Sequence, residues 1–189
     1  MRVLRLTIAA VAALLSSACL VVSLQPVYEP ETIAFDPALV GTWLAGDDEV
    51  SVSFSRGEWH SYHVTVEQRD DLTRVSARLT RVGDRLFLDV SPLDGADIAP
   101  LLLPAHGIYR VELDGDTLSL ADLNYEQLER LSRDGTAGLP TAIDARKNVV
   151  ITASTAELRR WLAAHADDEG LFDAPTVLRR KVPAEATPR

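Results

Sequence analysis

The sequence predicts a mainly β domain: an antiparallel barrel or strongly curved sheet with two late α-helices, at about 124–134 and 154–167. Three observations lead there. Apolar and polar residues alternate with period two through much of residues 49–120, which sets one face of each strand on a core and the other in water. Turn signals recur about every ten residues, the spacing of an all-β sandwich or barrel. Helical patterns gather late instead of alternating with strands, which argues against a doubly wound sheet. A barrel also removes exposed strand edges.

Residues 40–44 open the domain. Val50, Val52 and Phe54 then alternate with serines, and Tyr62, Val64 and Val66 with His63, Thr65 and Glu67. Val75, Ala77 and Leu79 continue the pattern up to Gly83-Asp84, a two-residue hairpin signal because glycine reaches positive φ without a Cβ clash. Leu86, Leu88 and Val90 follow. Residues 98–104 are apolar without alternation and read as a short buried strand or folded-in loop. Residues 108–113, the Asp114-Gly115 turn, and Leu118 with Leu120 complete the run. Asn124, followed by Gln127, marks the first helix, with Leu123 and Leu128 placed as a hydrophobic staple. Ser154-Thr155-Ala156-Glu157 is an S-x-x-E capping box, and Leu158, Trp161, Leu162 and His165 form the stripe of the second helix. Residues 149–152 and 176–180 read as strands.

The ends differ from this body. Arg2 and Arg5, the apolar run 6–15 and the small residues before Cys19 describe a secretory signal peptide over 1–18. Leu15-Ser16-Ser17-Ala18-Cys19 resembles a bacterial lipobox, with Ser16 where the pattern has Leu or Val. That resemblance implies a lipidated Cys19, carrying a palmitate-type chain, as the mature N-terminus. Two other readings stay open: plain cleavage after Ala18, and an uncleaved anchor, since no charge interrupts residues 6–24. Lipidation is favoured because the only cysteine stands where the lipid would attach. Leu20 follows it instead of Asp, which resembles the outer-membrane default of Gram-negative sorting. Pro26, Pro30 and Pro37 suggest an extended tether over 19–37. The domain is then 38–181, with a flexible tail at 182–189.

Composition excludes some functions. The chain has 189 residues, 19 Lys+Arg against 28 Asp+Glu and a net charge of −9, without the basic footprint of a nucleic-acid binder. Loss of residues 1–18 takes Arg2 and Arg5 away and leaves the exported part more acidic. One cysteine forbids an intrachain disulfide or a Cys-x-x-Cys redox pair.

Leu39-Val40-Gly41-Thr42-Trp43 resembles the G-x-W start of the lipocalins and avidin-like calycins. That resemblance implies a first strand whose tryptophan plugs one end of a barrel. It also implies an arginine from the last strand packed on the tryptophan, here Arg179 or Arg180, with Arg179 taken as the structural partner of Gly41 and Trp43. The chain is also similar to a group of uncharacterised bacterial lipoproteins, through Leu86-Phe87-Leu88-Asp89, Pro104-Ala105-His106 and Ile151-Thr152-Ala153-Ser154-Thr155.

Catalytic signals are sparse. No G-x-S-x-G elbow, H-E-x-x-H helix, Walker loop or G-x-G-x-x-G is present. His60 and His63 are three apart, so a strand points them to opposite faces and they cannot chelate together. His165 belongs to a helix stripe. His106, leading into a strand with Tyr109, is the candidate for a barrel mouth, and both residues are candidate ligand contacts. The acidic clusters 47–49, 70–71 and 167–169 read as solvated turns or helix ends, with calcium as the alternative, and Asp114-Gly115-Asp116 lacks the other oxygen ligands of an EF-hand. No metal ligands, catalytic residues or cofactor are assigned. The expectation is a membrane-anchored bacterial lipoprotein of the cell envelope acting as a non-catalytic binding module. Its implied partners are the membrane, through the N-terminal lipid, and a small apolar ligand or an envelope protein. The alternatives are an envelope assembly protein with a closed core, or an enzyme with a site near His106.

Overall fold

The computed structural model describes residues 20–46, 49–93 and 105–181. The signal segment 1–18, Cys19, Asp47-Asp48, the apolar segment 98–104 and the tail 182–189 lie outside the described residues.

Eight antiparallel strands close into a barrel, in keeping with a lipocalin-like fold. Two short strands precede them, β1 (Val21–Ser23) and β2 (Ile33–Ala34). The barrel strands are β3 (Gly41–Ala45), β4 (Val50–Arg56), β5 (Ser61–Gln68), β6 (Asp71–Val82), β7 (Arg85–Pro92), β8 (Gly107–Asp114), β9 (Thr117–Asp122) and β12 (Thr176–Arg180). Each pairs with the next in that order. β12 closes the ring by pairing with β3, with Arg180 opposite Trp43. Between β9 and β12 the chain makes helix α1 (Tyr125–Arg133), strands β10 (Thr141–Ile143) and β11 (Val149–Ile151), and helix α2 (Thr155–His165). The two helices fall where the sequence places them.

The local signals act as expected. Gly83 and Gly115 take φ of 58° and 54° in the turns between β6 and β7 and between β8 and β9. The Ser154 hydroxyl and Glu157 form the reciprocal capping box of α2. For α1 one half of the box is made: the Asn124 side chain accepts from the Gln127 N–H at 2.7 Å. The acids after α2 have specific partners, Asp167 with Arg85 at 2.8 Å and Asp168 with His165 at 2.7 Å.

Two apolar clusters result. One fills the barrel and includes Trp43, Val52, Phe54, Tyr62, Val64, Val66, Leu88 and Leu178. The other lies outside the wall. There Phe87, Ile108, Ala121 and Leu123 pack under Leu128 of α1, Val149 and Ile151 of β11, and Leu158, Trp161 and Leu162 of α2. Leu86-Phe87-Leu88 is apolar without a break because β7 is buried on both faces.

The expected tether is corrected. From Leu20 onward the chain is laid against the wall. β1 runs parallel to β11, and Leu20 donates its N–H to the Asn148 side chain at 3.0 Å. Val27 is fully buried, and β2 pairs with β6. Prolines remove only their own donors, and the residues between them keep theirs.

Candidate functional site

The barrel has two unlike ends, and β12 shows both. Thr176, Leu178 and Arg180 share the inward phase, so one strand runs from the cavity to the plugged end.

At the plugged end Trp43 is fully buried, and its Nε1–H donates to the Leu39 carbonyl at 2.9 Å, across a 3₁₀ turn at Pro37–Leu39. The Arg180 guanidinium lies 4.2 Å from the centre of the Trp43 ring. It also donates to the Val40 carbonyl at 3.1 Å, to the Ala38 carbonyl, and to Asp116 at 3.0 Å. The arginine on the tryptophan is therefore Arg180 and not Arg179. Arg179 is one residue out of phase and points to solvent. Gly41 has φ of 137°, and a Cβ there would meet Arg180 Nη1 at 2.8 Å. Glycine is needed for both reasons.

Toward the other end lies an apolar cavity. Val52, Phe54, Val64, Val66, Val75, Leu88, Val90, Leu120 and Leu178 form its walls, and Tyr109, Asp122 and Thr176 bring the polar atoms. The room open to the centre of a water-sized sphere is ≈ 50 Å³. A water takes roughly 10–15 Å³ by that measure, so the cavity admits a group of about four heavy atoms.

Tyr109 and Asp122 are directly opposite across the β8–β9 pair. Burial is the main reason the Asp122 carboxyl lies above the ordinary carboxylate range; its own backbone N–H opposes the shift and the Asp173 charge adds to it. Burial also pushes the Tyr109 phenol up, and the Asp122 charge adds to that. Among the described residues neither the Tyr109 nor the Thr176 hydroxyl has a hydrogen-bond partner. Asp122 and Thr176 were not singled out from the sequence. The available signal was phase, since Asp122 continues the inward row Leu118, Leu120.

His106 lies elsewhere. It bridges to Ser23 on the outer wall and its Nδ1 is 2.6 Å from Asp89 Oδ1. Both residues are buried, and Asp89 Oδ2 accepts the Val27 N–H at 2.7 Å. The pair fastens the N-terminal segment to the barrel. His60 and His63 are exposed, and among the described residues no three of His, Cys, Asp and Glu gather as a metal site. Beside the plugged end a shallow groove is lined by Pro30, Ile33, Arg56, Gly57, Trp59 and His60, with Trp59 85% exposed.

Compared with models of protein families, with curated proteins and with solved structures, the chain matches none.

Proposed function

We propose that this protein is a membrane-tethered, non-catalytic binding barrel of the bacterial envelope, held by a lipid on Cys19. Its occupant is a small apolar molecule, or the apolar end of a larger one, entering at the end opposite Trp43. The observation that carries the binding part is the cavity: apolar walls, three polar groups at one end, and a plug at the other. The lipid part rests on the sequence. It gains a consequence from the fold, because Leu20 is already hydrogen-bonded in the wall and the tethered barrel has no slack above the bilayer.

A chemical-shift titration with n-butanol tests the binding. Saturable shifts at Val66, Leu88 and Val90 are expected, and they should vanish in Val90→Trp, which fills the cavity. Shifts that persist unchanged in Val90→Trp, or none in the wild type, would remove the cavity from the function. Mass spectrometry of the mature N-terminus tests the tether, with a diacylglyceryl Cys19 expected and an unmodified Cys19 or free Met1 against it.

The groove at Trp59 favours a second reading, an envelope interaction module that docks a protein partner there. A tryptophan this exposed is unusual, and such rings anchor interfaces. Trp59→Ala would then abolish partner capture while leaving butanol binding intact.

A further inference from the structure

The cavity contains one ionisable group out of keeping with its walls. Asp122 stands third in an inward row whose other members are Leu118 and Leu120. An apolar residue there would complete the wall at no desolvation cost, whereas a carboxylate facing an apolar space without a partner is costly. Its own backbone N–H is the one hydrogen-bond donor it has among the described residues. No Lys, Arg or His lines the cavity among those residues. Asp173, whose charge adds to the upward shift, has the same sign and is bonded by the Asn124 side chain.

We propose that the site binds a protonated primary amine on a short alkyl group. The alkyl end fills the space between Val66, Leu88 and Leu120, and the ammonium is held by Asp122. Tyr109 and Thr176 supply oxygens for the remaining ammonium protons. The cation supplies what the carboxylate lacks, a charge-assisted hydrogen bond. Fatty acids and other anions are excluded, because their head would face a like charge in a poorly solvated place. The cavity admits about four heavy atoms, so the buried alkyl part is of butyl size.

The inference rests on the cavity reading, and its test separates the two. The mature full-length chain is titrated in parallel with n-butylammonium, n-butanol and n-butyrate, followed at Val66, Val90 and Tyr109. The ammonium ion is expected to bind at least tenfold more tightly than the alcohol, and butyrate not at all. Asp122→Asn should bring the ammonium ion to the level of the alcohol. Butanol binding with no preference for the ammonium ion, or a preference that survives Asp122→Asn, overturns the amine assignment and leaves the apolar cavity standing. Failure of all three ligands overturns both. If Asp122→Asn does not fold, the wild-type ranking decides alone.

Discussion

The two ends of the barrel are made from the same strands and differ in how their polar groups are satisfied. At the plugged end each nitrogen of the Arg180 guanidinium donates to an oxygen while its face covers the Trp43 ring, and the Trp43 indole N–H is bonded. At the cavity end Asp122, Tyr109 and Thr176 face an apolar space with no side-chain partner among the described residues. Protein interiors satisfy nearly all their buried polar groups, so the first pattern is what stability alone selects. The second leaves groups that meet solvent or, on our proposal, a ligand; the described side-chain atom that is buried without a partner is Ser132 Oγ. The difference sets a self-satisfied end against the end where binding is proposed, within one closed sheet.

Three substitutions sharpen that contrast. The largest effect is expected from Trp43→Ala. Removing a fully buried tryptophan from a packed core costs about 3–5 kcal/mol, so urea unfolding should shift to much lower denaturant. A loss no greater than that of an ordinary surface change would mean that Trp43 does not plug the barrel.

Gly41→Ala comes next. A non-glycine residue at this positive φ is strained by about 1–3 kcal/mol, and the new methyl would push the Arg180 guanidinium off the Trp43 ring. Melting should fall and Trp43 fluorescence should change, with n-butanol still bound at the other end. If cavity binding were lost to the same degree, the two ends would not be independent.

Asp122→Asn should act in the opposite direction and by less, because the carboxyl it replaces is penalised by burial. The groups facing Asp122 are Tyr109 on β8, Thr176 on β12, Asp173 and its own N–H, and burial dominates its upward shift. Between the ordinary carboxylate pKa and the raised one, the folded state holds more protons than the unfolded state. Stability from this group therefore falls as pH rises through that window, and the whole penalty is present above it. The asparagine variant should be more stable than wild type near neutrality and equal to it below about pH 4. Urea unfolding at both pH values checks the sign. A variant less stable at neutral pH would show that Asp122 is satisfied in the fold.

Much of this architecture is legible in the sequence because strand alternation and caps are local. Val50-Val52-Phe54, Gly83 and the Ser154–Glu157 box each act within a few residues. The motif at Gly41 and Trp43 carries long-range information, since it implies an arginine from the last strand. It does not say which arginine, and a one-residue difference in phase decides between Arg179 and Arg180. The docking of the N-terminal segment is not legible locally, because its burial depends on β11, more than a hundred residues away, and on Asp89, which accepts the Val27 N–H. His106 looked available because nothing nearby in sequence shows Asp89 across the β7–β8 pair. Asp122 continues the phase of Leu118 and Leu120, but only the closed barrel brings that row together with Tyr109 and Thr176 around one cavity.

The most direct test of two unlike ends is a crystal pressurised with xenon, which enters dry apolar cavities and avoids polar or filled ones. One xenon site is expected between Val66, Leu88 and Leu120, with none around Trp43 and Arg180. An empty barrel, or xenon at the Trp43 end, would contradict the account.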